Sequence, residues 1–195
     1  CDAQVGDEIR VTGPSGKRFV LPQDPSAHDY VFFATGTGIA PFRALSIDLL
    51  EGGYASKVTL VMGSPYRTDL IYDEQLRELD EKYENFRYVT AISRETQDDL
   101  DRRLYVQDRI KFDPLGTGPG SLSEQLASDR TLIYVCGLAG MEIGIFRGLY
   151  DALGRDGASG YVRVDDEIAD DPSSWNKKMI NRQIRPTKRV FLEVY

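Results

Sequence analysis

The rhythm of apolar and polar positions changes once along the chain, near residue 28. Before it, residues 9–12 and 18–21 flank Gly13, Pro14, Ser15 and Gly16, which predicts strand, turn and strand. Residues 23–28 form a Pro-containing connector where a domain boundary is expected. Beyond it, apolar runs at residues 30–34, 58–62, 86–92, 131–136 and 190–195 predict five strands. Helical patterns fall between them at residues 41–50, 73–83, 104–110 and 141–153, with Leu76 and Leu79 at helical spacing in the second. The Pro- and Gly-rich stretch 113–120 must break the third before a helix resumes over 121–127. Alternating strands and helices predict an α/β fold: a five-stranded, parallel, doubly wound, Rossmann-like sheet with helices on both faces, preceded by a short β-hairpin. The expected division is residues 1–27 and 28–195.

Right-handed crossovers bring the C-terminal ends of such strands to one side, where ligands bind. Segments 36–38, 63–65, 93–94 and 136–138 each follow a strand, so all four are expected along one edge of the sheet.

Composition narrows the classes of function. A chain of 195 residues, 41% hydrophobic, suits one globular domain with a short appendage. Its net charge of −7 would repel a nucleic-acid backbone, which argues against DNA or RNA binding. The longest apolar runs are far shorter than the roughly 20 residues of a membrane span, so a soluble protein is expected. Cys1 and Cys136 lie too far apart in sequence, and too few, for a disulfide framework or a CxxC metal site, which fits a reducing, cytoplasmic compartment. The single histidine, His28, excludes a His-centred triad or His metal site by count and is expected at the surface. The chain starts without Met or leader, as a fragment would. Residues 175–195 carry a balance of +5 directly after the acidic group Asp165, Asp166, Glu167, Asp170 and Asp171. This pairing is either a solvated loop and helix face or a docking surface for a charged partner.

Four segments carry candidate chemistry. Thr35, Gly36, Thr37, Gly38, Ile39, Ala40 and Pro41 join a strand to a helix. Glycines there let backbone approach a pyrophosphate at the helix N-terminus. Pro41 stands where the usual fingerprint has its third glycine, and a tight structural turn is the alternative. Ser93 and Arg94, with Arg103 and Tyr105 ten residues on, offer the cationic and hydroxyl donors that a ribose 2′-phosphate needs and an adenine-stacking ring. The alternative is that the two arginines pair with Glu95 or Asp101. Cys136, Gly137 and Leu138, followed by Gly140, Met141 and Glu142, would make a flat floor for a planar ring, with Cys136 as apolar filler. The terminal Glu193 and Tyr195 either close the sheet edge or present a movable ring over a cofactor.

Taken together and in order, these segments resemble the plant-type ferredoxin-NADP reductase family along the whole chain. The resemblance rests on Gly13, Pro14, Gly16 and Lys17; on TGTGIAPFR at 35–43; on Gly63, Ser64, Pro65 with Leu70, Ile71, Tyr72; and on Ser93, Arg94, Glu95 with Tyr105, Val106, Gln107. Cys136, Gly137, Leu138, Gly140, Met141, Glu142 and the final Glu193, Val194, Tyr195 complete it. It implies an oxidoreductase in which residues 28–195 bind NADP(H), residues 1–27 end an FAD-binding barrel, and electrons pass to ferredoxin, flavodoxin or an oxygenase component. It implies that Gly36, Thr37, Gly38, Ser64 and Pro65 surround the pyrophosphate, with Gly137 and Leu138 near the dinucleotide. Ser93, Arg94, Arg103 and Tyr105 would hold the 2′-phosphate. Cys136 and Glu193 would flank the nicotinamide, and Tyr195 would stack on the flavin, these three forming the catalytic end. The acidic stretch 155–174 is longer than the family pattern. The reductase component of a multicomponent oxygenase, such as the benzoyl-CoA type, is the nearest alternative, and a non-catalytic nucleotide-binding or interaction module the alternative of another class.

Overall fold

A computed structural model describes residues 4–10, 12, 19–97 and 101–195. In chain order the elements are β1 (Asp29–Thr35), α1 (Ile39–Glu51), β2 (Val58–Ser64), α2 (Asp73–Lys82), β3 (Phe86–Ile92), α3 (Leu122–Ala127), β4 (Thr131–Gly137), α4 (Met141–Ala158), β5 (Val162–Val164), α5 (Asp166–Ala169), β6 (Ile184–Pro186) and β7 (Val190–Val194). Five strands pair in parallel in the order β3-β2-β1-β4-β7. This is the doubly wound sheet expected from the sequence, and its winding reverses between β1 and β4.

Every residue of β2 and β4 is buried, which is why their sequences read as unbroken runs instead of alternating. The period of two still decides which core each side chain enters. Val31, Phe33, Val61, Ile133 and Val135 join Phe146 and Leu149 of α4 on one face. Tyr30, Phe32, Leu60 and Tyr134 join Phe42 and Leu49 of α1 on the other, where Phe32 and Phe42 stack with ring centroids 4.9 Å apart.

Two expectations need correcting. The helix expected over 104–110 is a short 3-10 turn, Val106–Ile110. Leu104 N–H is already committed to the Ile92 carbonyl at 2.8 Å, and the Asp108 carboxylate takes Tyr105 N–H at 2.7 Å. The chain is therefore tied to the end of β3 before a helix can begin. The β-hairpin is not found either: Ile9, Arg10, Thr12, Phe19, Val20 and Leu21 lie outside any strand, while Val11 and residues 13–18 lie outside the described residues. An isolated hairpin is marginal in water, and here Phe19 and Leu21 pack on the α1 side of the sheet instead. Tyr134 O–H donates to the Val20 carbonyl at 3.0 Å, which fixes this segment to the main core. His28 is half-buried, its Nδ1 3.3 Å from the Arg130 carbonyl.

The stretch after residue 153 holds elements that periodicity did not reveal. Gly154, at φ +68°, interrupts α4, and β5 and β6 form a separate antiparallel ribbon. Trp175 anchors it: the ring is buried, and its indole N–H donates to the Ile168 carbonyl at 2.8 Å. Arg147 donates to the carbonyls of Pro172 and Trp175. The acidic and basic runs meet through Asp165 and Arg185 at 2.5 Å, while Asp166 pairs with Arg155 of α4. Among the described residues no helix is long and apolar enough to cross a membrane.

Candidate functional site

At the reversal point, β1 and β4 end side by side and the loops leaving them part to open a crevice. Three glycines shape it differently. Gly36 adopts φ +53° with open space where a Cβ would lie, so it serves the turn. Gly38 is held against β4: a Cβ would collide with the Cys136 carbonyl and stand 2.9 Å from Gly137 N. Gly137, at φ +143°, presses on Thr35 so closely that a Cβ would overlap the Thr35 hydroxyl. That hydroxyl accepts Leu138 N–H at 3.0 Å and points its own hydrogen at Met141 Sδ, 3.6 Å away. Thr35 thus clasps the two loops together.

The crevice has a volume of about 610 Å³. It brings together Gly36, Thr37, Ser64, Pro65, Ser93, Tyr105, Leu138 and Tyr195 from positions spread across the sequence. Two helix N-termini approach it, and they differ. Near α4, the Glu142 carboxylate accepts Gly140 N–H at 2.7 Å, so a negative group already occupies that end. α1 has no acidic residue in its first turn and no side-chain cap. The 3-10 turn Gly36–Gly38 runs directly into it and takes up Ile39 N–H, so what faces an anion here is the positive dipole end of this continuous turn and helix. Tyr105, Leu138 and Tyr195 are each more than 60% exposed around this one cavity, an apolar rim on which a planar ring could lie.

On the β3 side, Ser93 N–H donates to the Ser64 carbonyl and Arg94 N–H to the Pro65 carbonyl, both at 3.0 Å, which docks this loop beside the cavity. Arg94 and Arg103 do not line the cavity itself but flank the lining residues Ser93, Leu104 and Tyr105. The alternative of pairing with Glu95 or Asp101 does not hold: among the described residues the Glu95 carboxylate pairs with Arg67 at 3.8 Å, and Arg103 is exposed without an ion pair. The Arg94 guanidinium lies over the Tyr66 ring, 5.8 Å from its centroid, and the phenol oxygen reinforces its charged form.

Cys136 and Glu193 are cross-strand partners in β4 and β7 and open onto a second groove, of about 730 Å³, which shares Tyr195 with the first. Burial, reinforced by the Glu193 charge, pushes the Cys136 thiol above its ordinary pKa, so it stays protonated and non-nucleophilic at neutral pH. In a Cys1→Ser variant at pH 7.5, iodoacetamide is expected to alkylate Cys136 at least about tenfold more slowly than free cysteine; equal rates would show that the thiol is activated.

Tyr195 links the parts. Its backbone N–H donates to the Gly137 carbonyl and its own carbonyl accepts from Ala139 N–H, both at 2.9 Å. Its phenol oxygen lies 2.7 Å from Thr37 Oγ1. Sequence reasoning missed Thr35 as a clasp, the Thr37–Tyr195 contact, and both Tyr66 and Arg67. A hydroxyl residue ending a buried strand was the one available signal, at Thr35; the others depend on long-range proximity.

An open helix N-terminus at the switch point of a doubly wound sheet, with exposed rings on its rim, defines a nucleotide-binding domain. Residues 32–145 match the family model described as oxidoreductase NAD-binding domain, and the chain belongs to that family. It is similar to the ferredoxin-NADP reductase of Spirulina sp., 38% identical over 161 residues that make up 80% of this chain and 53% of that protein. With the chloroplastic leaf isozyme 1 of ferredoxin-NADP reductase from Arabidopsis thaliana it is 35% identical over 163 residues, 80% of this chain and 44% of that one. The chain thus spans about half the length of these curated relatives. Among solved structures it resembles the ferredoxin-NADP+ reductase of Plasmodium falciparum with 2'P-AMP, with a TM-score of 0.55 and 21% identity over 92% of this chain and 58% of that one. It also resembles the Amycolatopsis cytochrome P450 reductase GcoB, with a TM-score of 0.52 and 23% identity over 74% and 39% of the two chains. At these identities the likeness concerns the fold.

Proposed function

We propose that this chain is the NADP(H)-binding part of a ferredoxin-NADP reductase-like flavoenzyme, with residues 28–195 as the nucleotide domain and residues 1–27 as the end of an FAD-binding barrel. The observation that carries the reading is the charge at the cavity rim: Arg94 and Arg103 stand beside Ser93 and Tyr105, and among the described residues Glu95 is held by Arg67. A plain 2′-OH is usually met by a free acid; two arginines that form no ion pair among the described residues suit a 2′-phosphate. The α1 N-terminus, with Thr37, would take the pyrophosphate, and Tyr105 would stack on adenine. Leu138 and the floor built by Gly38 and Gly137 would support the dinucleotide, with Ser64 and Pro65 on the facing wall. Cys136 and Glu193 would border the nicotinamide, and the Tyr195 ring would cover the reacting face and exclude water until displaced. FAD, held by the barrel, supplies the exchange between two-electron and one-electron transfer. The acceptor would be ferredoxin or flavodoxin, in a reducing compartment such as the cytoplasm, where a lone buried Cys136 thiol is secure. The stretch 155–174, longer and more acidic than the resemblance leads one to expect, favours, as a second reading, a different acceptor such as an oxygenase component.

Titration calorimetry tests the coenzyme assignment directly. NADP+ is expected to bind this chain at least about tenfold more tightly than NAD+, and equal affinities would overturn it. Hydride transfer should return when the flavin part is supplied; selective NADP+ binding without it would point to the non-catalytic module.

A further inference from the structure

Tyr66 and Arg67 follow Pro65 of the cavity wall and face the loop that carries Arg94. Arg67 reaches the described part of that loop: its backbone N–H donates to Glu95 Oε2 at 3.1 Å, its Nε stands 3.8 Å from the same oxygen, and Nη2 donates to the Thr96 carbonyl at 3.2 Å. Tyr66, 40% exposed, lies under the Arg94 guanidinium. An exposed arginine next in sequence to a glutamate would otherwise be drawn to that carboxylate. A phosphate must compete with it, and must also order a long side chain. The Tyr66–Arg67 pair removes both costs, because the aromatic ring restrains the weakly hydrated guanidinium while Arg67 takes the competing acid.

We infer that Tyr66 and Arg67 are positioning residues that set the strength of the 2′-phosphate subsite, Tyr66 by holding Arg94 ready and Arg67 by sequestering Glu95. The inference rests on the coenzyme reading proposed above. Neither residue needs to touch the ligand, since both act through Arg94.

The test uses this chain with two probes, adenosine 2′,5′-bisphosphate and adenosine 5′-phosphate, and reads the ratio of their dissociation constants. The unaltered chain should prefer the bisphosphate by at least about tenfold. Tyr66→Leu should lower the preference about fivefold, while Tyr66→Phe, which keeps the ring but loses the phenol oxygen beside the guanidinium, should lower it by a smaller factor. Arg67→Gln should lower it about threefold or more, and adding Glu95→Gln to that variant should restore it. A merely structural role would weaken both probes together and would not be rescued by removing a carboxylate. Unchanged preference in Tyr66→Leu and Arg67→Gln, or a loss shared equally by both probes, overturns the inference and leaves the coenzyme reading standing. If Tyr66→Leu does not fold, the Arg67→Gln and Glu95→Gln pair decides alone. No preference in the unaltered chain overturns the coenzyme reading and the inference with it.

Discussion

Gly137→Ala is expected to lower the unfolding free energy by about 3–5 kcal/mol, combining a non-glycine residue forced to positive φ with overpacking at a closed junction. The new methyl group would sit on the Thr35 hydroxyl, which holds Leu138 N–H and so joins the loops on both sides of the crevice. Gly38→Ala should cost about 1–3 kcal/mol, because its backbone is already helical and only the collision with the Cys136 carbonyl opposes it. Gly36→Ala should cost about 1–2 kcal/mol, the penalty of a left-handed residue with free space around it. Urea unfolding of the three variants checks the ranking. A Gly36 variant as unstable as the Gly137 variant would contradict the account of close strand-end packing.

Arg94→Ala is expected to weaken NADP+ binding by about 1.5–3 kcal/mol, the range of a hydrogen bond to a charged group, and to leave NAD+ binding nearly unchanged. Arg94 is exposed, so the loss should shrink at high ionic strength, where the attraction is screened even in the unaltered chain. Calorimetry with both coenzymes at low and high salt reads the difference. Equal losses for NADP+ and NAD+ would mean that Arg94 serves the common part of the coenzyme or the fold.

The five parallel strands were legible because the inner ones are buried on both faces, and a run such as 131–136 has no other home than the middle of a sheet. The crevice was legible for a related reason: once strands alternate with helices, chirality sends all their C-terminal ends to one side. What failed was whatever depended on tertiary partners. Residues 104–110 have helical spacing, but Leu104 is captured by the end of β3. Residues 18–21 read as a strand after a turn, yet the described part, 19–21, is drawn onto α1 through Phe19, whose ring lies 5.3 Å from Phe42. The ribbon of β5 and β6 has three residues in each strand, too few for a period to show, and Trp175 is a buried anchor only because Arg147 and Ile168 come from elsewhere to meet it. Within the site, the glycines of 35–41 announced a turn, but their separate duties depend on Cys136 and Thr35 standing behind them.

The last residue has its main chain fastened at two points, to Gly137 and to Ala139, while its ring is 64% exposed. Any opening at Tyr195 is therefore a swing about two side-chain torsions, after release of one hydroxyl contact to Thr37. Such rotamer jumps take picoseconds to nanoseconds in exposed side chains, whereas peeling back a whole terminal segment is far slower. Under the coenzyme reading proposed above, a ring hung on torsions alone would move aside without slowing the cycle.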